Sequence, residues 1–137
     1  MTKLLACPGL RLGYIVARTP EEATRLRELR PQWSINAIAA AALPDLMEQA
    51  DLEAWSKSIG VLRHQLSTLL ADHGLQTSPA AANYVWVESA PGLRDALLPY
   101  GVLIRSGASF GHPDAVRIAV PNDSGLSRLE VCLKQES

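Results

Sequence analysis

Residues 101–120, GVLIRSGASFGHPDAVRIAV, hold two short apolar runs, each with one arginine in it. Residues 102–107 and 115–120 read as strands, because β-branched and apolar residues are bounded there by Gly, Pro and Ser. Arg117 interrupts the second run, and a guanidinium inside an apolar strand is costly unless it is paired or faces a cleft. From the residues alone, Arg105 and Arg117 read as edge-strand residues turned to solvent, or, for Arg117, as a cation that is paired or faces a cleft. Gly107 and Gly111 flank ASF as loop punctuation, since no helix start follows in the register that a phosphate cradle needs.

Outward from this stretch the period of the sequence changes. ANYVWVE at 82–88 supplies a third strand, with a short helix at 91–98 between it and the next, and residues 124–134 form an amphipathic terminal helix. Upstream, Leu52, Trp55, Ile59, Leu62, Leu66, Leu69 and Leu70 recur on one face of a long helix spanning 51–72, with Gly74 placed to end it. This half is α+β: a long helix, three strands and two shorter helices in layers. Further upstream, Thr19, Pro20 and Glu22 form a helix-start signal for 20–30, stopped by Pro31. Ser34 opens the Ala-rich INAIAAAAL, which Pro44 should kink or break. LGYIVA at 12–17 predicts another strand, but helices separate it from the other three and it has no obvious partner. That orphan strand hints at missing chain.

The 137 residues, 47% hydrophobic, suffice for one ordinary core. Thirteen basic against fourteen acidic side chains leave a net charge of −1 and no basic run. This argues against nucleic acid and anionic membranes as partners. No targeting segment or membrane-length apolar run is legible, so a cytosolic location is expected. Cys7 and Cys132 stand near opposite ends without companions at metal spacing and read as reduced thiols. The histidines, His64, His73 and His112, also lack metal spacing, and no metal is expected.

Near the N-terminus, TKLLACPGLRLGY places Lys3 and Arg11 on either side of a Pro-Gly turn. A Schiff-base lysine needs a rigid support beside a group that holds the rest of its cofactor, and an arginine on an adjacent turn suits a phosphate. The segment resembles the lysine segment of fold-type I pyridoxal-phosphate enzymes in the class I/II aminotransferase superfamily, in the branch of histidinol-phosphate aminotransferase and threonine-phosphate decarboxylase. Residues 101–120 are similar to the small-domain segment of that family, RPQWSINAIAAAAL to its interdomain segment, and SPAAANYVWVE to its first small-domain strand. Together these cover essentially the whole chain.

The resemblance implies the end of the large cofactor domain and the interdomain segment at 1–50, and the small C-terminal α+β domain at 51–137. It implies pyridoxal 5'-phosphate as cofactor, with Lys3 the catalytic lysine, and Thr2, Lys3 and Arg11 at the cofactor. Arg117 is implied to bind the substrate carboxylate, while Arg105 helps to hold the substrate's anionic end, a phosphate being one candidate. Trp33 and Asn36 are candidates for the active site or a dimer interface, or for a cap-and-core role. The implied parent enzyme is a homodimer acting on a phosphorylated amino acid, with threonine-phosphate decarboxylase of cobalamin biosynthesis ahead of an aminotransferase. Enzymes of the family are more than twice this length, and their glycine-rich phosphate loop and ring-nitrogen aspartate cannot be placed here. The isolated chain is therefore expected to be inert. The alternative from another class is a non-catalytic domain for dimerisation or partner binding, for which the Ala-rich helix and the orphan strand predict self-association.

Overall fold

The computed structural model describes residues 5–135, so Thr2 and Lys3 lie outside the described residues. The chain divides into two compact units, Met1–Asp51 and Leu52–Ser137.

In the first unit a single 3-10 turn, Pro8–Leu10, precedes helices α1 (Pro20–Leu29) and α2 (Ala37–Glu48). The start of α1 follows its sequence signal: Thr19 Oγ1 accepts the Glu22 N–H at 3.2 Å, and Glu22 Oε2 accepts the Arg18 N–H at 2.9 Å. These bonds satisfy donors that the helix cannot reach itself. α2 starts at Asn36 and not at Ser34, because Asn36 Oδ1 accepts the Ala39 N–H at 2.8 Å while its Nδ2 donates to the Leu10 carbonyl at 3.0 Å. Pro44 neither breaks nor ends α2. It forfeits one hydrogen bond, and Ala-rich chain of high helix propensity precedes it, with little more than one further turn to hold.

The strand expected at 12–17 does not form. Among the described residues no segment pairs with it, and Tyr14, Ile15 and Val16 are 76–80% exposed. β-structure needs a ladder to satisfy its N–H and C=O groups, and β-branched composition cannot replace one.

The second unit runs α3 (Leu52–Asp72), β1 (Tyr84–Val87), α4 (Leu93–Leu97), β2 (Arg105–Ser106), β3 (Val116–Ala119) and α5 (Asp123–Gln135). The sheet is antiparallel with order β1-β3-β2. Gly74, at φ +75°, ends α3: the Gly74 N–H reaches the Ala71 carbonyl and the Leu75 N–H reaches the Leu70 carbonyl, both at 2.9 Å. This paired closure needs a left-handed residue at position 74. The strand expected at 102–107 contracts to two residues, since β3 offers only Arg117 and Val116 opposite Arg105 and Ser106.

Alternation sorts the two faces of the sheet. Val85, Val87, Val116 and Ile118 point inward and join Leu66 and Leu70 of α3, Leu97 of α4, and Leu129, Cys132 and Leu133 of α5 in one buried cluster. Each such side chain, fully buried, is worth about 1.5–3 kcal/mol. Only the C-terminal part of the apolar face of α3 is buried: Leu66 and Leu70 are enclosed, while Leu52 and Trp55 stay exposed. Tyr84, Trp86 and Arg117 occupy the opposite face of the sheet and are half-buried.

Candidate functional site

The site is built by the register of the sheet. Arg117 lies directly opposite Trp86 on one side and Arg105 on the other, so the two arginines form a cross-strand pair. Like charges in that position repel. Among the described residues no carboxylate lies within ion-pair distance of either, the side-chain ion pairs there being Arg94–Asp95 and Lys134–Glu130.

Aromatic rings take the place of carboxylates. The Arg117 guanidinium sits 5.0 Å from the centre of the Tyr84 ring and 6.0 Å from that of Phe110, and the Arg105 guanidinium sits 4.8 Å from Phe110. Trp86 holds the edges together, meeting Phe110 at 5.9 Å and His112 at 5.7 Å in T-shaped contacts. Ring faces attract guanidinium without neutralising it, so the pair keeps its charge and hydrogen-bond donors available. Such a surface can bind two anionic groups, or one group bridging both arginines.

Phe110 reaches this position through the turn between β2 and β3. The Gly107 N–H donates to the Ala115 carbonyl at 2.7 Å, the Phe110 N–H to the Gly107 carbonyl at 2.8 Å and the His112 N–H to the same carbonyl at 3.2 Å. A Cβ on Gly107 would meet the His112 carbonyl oxygen at 2.5 Å, so only glycine fits there. The ASF segment is therefore more than punctuation. An aromatic residue between two glycines, following an arginine-bearing strand, was the signal available for Phe110.

Arg105 and Arg117 are thus brought together in the second unit, while Arg11 belongs to the first. Arg11 is exposed and closes the Pro8–Leu10 turn in the left-handed region, at φ 47°, which costs a non-glycine residue on the order of 1 kcal/mol. It lines a groove of about 740 Å³ together with Leu12, Leu26 and Ile35. Of the histidines, His73 donates from Nδ1 to the Leu69 carbonyl at 2.9 Å and His112 packs on Trp86. Among the described residues no three His, Cys, Asp or Glu side chains group as a metal site, and no helix is long and apolar enough to cross a membrane.

The family model "Aminotransferase class I and II" matches residues 1–129. A histidinol-phosphate aminotransferase of Symbiobacterium thermophilum is 34% identical over 139 residues, covering 97% of this chain and 38% of that protein. A threonine-phosphate decarboxylase of Salmonella typhimurium is 33% identical over 142 residues, covering 94% of this chain and 38% of that protein. In three dimensions the histidinol-phosphate aminotransferase of Sinorhizobium meliloti, solved with pyridoxal-5'-phosphate, superposes with a TM-score of 0.74 at 24% identity, over 96% of this chain and 39% of that one. The chain spans little more than a third of the length of these relatives. With the family model matched over nearly its whole length, the chain belongs to the class I and II aminotransferases.

Proposed function

We propose that this chain is the C-terminal portion of a pyridoxal-phosphate enzyme acting on a phosphorylated amino acid. Threonine-phosphate decarboxylase is the first choice and a related aminotransferase the second. The observation that carries this reading is the cross-strand arginine pair, ringed by aromatics and without a carboxylate partner among the described residues. On this reading residues 1–50 end the large cofactor domain, residues 51–137 form the small domain, and the full-length enzyme is a cytosolic homodimer.

The roles follow from charge and position. Arg117 grips the substrate carboxylate with its bidentate fork and Arg105 holds the other anionic end, which fixes the α-carbon between them. Arg11 suits the cofactor phosphate, because a strained backbone presents an exposed guanidinium at the end of a turn. Thr2 and Lys3 complete the set from outside the described residues, Lys3 as the covalent attachment and the group that moves a proton at the α-carbon. The bound cofactor supplies an electron sink for the α-carbon. With about two thirds of the relatives' length outside this chain, we propose that it is inert alone.

The test is to reduce the chain with borohydride in the presence of pyridoxal phosphate and map the label by peptide mass spectrometry, beside a Lys3→Ala control. Label confined to Lys3 would support the assignment of Lys3 and mean that the cofactor site survives in this portion, whereas weak label scattered over Lys3, Lys57 and Lys134 would mean that the pocket is absent from it. In the full-length enzyme, label at a lysine other than Lys3 would refute the assignment. In the full-length enzyme, Arg117→Gln should weaken substrate binding by about 1.5–3 kcal/mol, the worth of a charge-assisted bond. Carbon dioxide release from threonine phosphate, measured against amino-group transfer, separates the decarboxylase from the aminotransferase.

A further inference from the structure

We infer that Phe110 is a positioning residue, a shared ring that holds the Arg105 and Arg117 side chains in one arrangement ready for an anion. The proposal rests on the reading of that pair as an anion site. Two guanidiniums opposite each other on neighbouring strands would swing apart into solvent if repulsion alone acted. Phe110 is the ring within reach of both, at 4.8 Å from Arg105 and 6.0 Å from Arg117. The ring is half-exposed, and its freedom is restricted from behind by the edge contact with Trp86 at 5.9 Å and by a turn in which Gly107 admits no side chain and Gly111 adopts φ +84°. Because both guanidiniums already lie against this ring before any ligand arrives, less arginine rotamer entropy is lost on binding. An anion that orders one guanidinium finds the other already in place, so the ligand class favoured is a compact dianion or a molecule with two closely spaced anionic groups.

The experiment follows the side-chain Nε–Hε signals of Arg105 and Arg117 by nuclear magnetic resonance in the full 137-residue chain, titrated with inorganic phosphate. Both signals should shift with one shared saturation curve. Phe110→Leu, which keeps apolar bulk but lacks a ring face, should weaken phosphate at least threefold, and Phe110→Tyr should restore affinity to within a factor of two. In the wild-type chain before any titration, rotation about the Arg105 guanidinium bond should be slower than for the exposed Arg25. Equal rotation rates, or an unchanged phosphate affinity in a folded Phe110→Leu chain, would overturn the positioning role and leave the anion site standing. No phosphate response at either arginine in the wild-type chain would overturn the anion site and the proposal with it.

Discussion

In the second unit Leu66, Leu70, Val87 and Leu97 are wholly enclosed, and the cluster around them draws on α3, α4, α5 and the inner side of the sheet. In the first unit Ala39 is the one buried apolar residue among the described residues, while Tyr14, Ile15, Val16, Leu29 and Trp33 are between 76% and 95% exposed. Among the described residues the two units differ in how far their apolar side chains are covered. A sheet with helices on its inner face closes a core within its own sequence. A helix pair beside an unpaired segment leaves an apolar surface of the kind that marks an interaction face.

The contrast is broken or confirmed most sharply by truncating matched side chains. Leu70→Ala should cost about 2–5 kcal/mol of unfolding free energy in urea titrations, while Ile15→Ala should stay within about 0.5 kcal/mol. A comparable loss at Ile15 would show that the first unit has a core that its exposures conceal. The glycines give a smaller version of the same test. Gly107→Ala should cost about 1–3 kcal/mol, because its methyl would meet backbone at 2.5 Å, whereas Gly13→Ala meets nothing within 4 Å and should be neutral or slightly stabilising. The readout is again the urea midpoint, with the slope unchanged.

The smallest effect concerns pH, and here the units should behave alike. Glu21 is held below the usual glutamate range by its own backbone N–H and by the Thr19 hydroxyl; Glu130 is held low by the hydrogen bond and charge of Lys134, 2.6 Å away. A carboxyl whose folded value is depressed lends stability above its unfolded value, and that contribution fades as pH falls through the folded one. Both carboxyls reach solvent, Glu130 with its side chain 46% exposed, so solvent screens the effect. Carboxyl titration by nuclear magnetic resonance should show the Glu21 midpoint rising in Thr19→Ala and the Glu130 midpoint rising in Lys134→Gln.

Elements fixed by local chemistry were legible in the sequence. The start of α1 follows from Thr19 and Glu22, the end of α3 from Gly74, and β1 and β3 from apolar and β-branched runs bounded by turn residues. Elements that depend on a distant partner were not. Residues 12–17 have strand composition and no ladder, and β2 is only as long as the part of β3 that faces it. The arginines of the candidate site stood out because charge inside an apolar run is costly, but their pairing is a matter of register, which no single strand reveals. Phe110 was hidden for a similar reason: its role comes from what the turn sets beside it.

Asn36 carries a last consequence. Its amide presents an oxygen to the Ala39 N–H and a nitrogen to the Leu10 carbonyl, so one planar group sets both the entry of α2 and the turn that ends at Arg11. Serine, threonine and aspartate rank beside asparagine as helix starters. None of them offers an acceptor and a donor on a rigid fork, and ionised aspartate has no donor at all. The backbone around Arg11 is thus tied to a side-chain amide far along the chain, and exchanges that pass as conservative at an ordinary helix start would cut that tie.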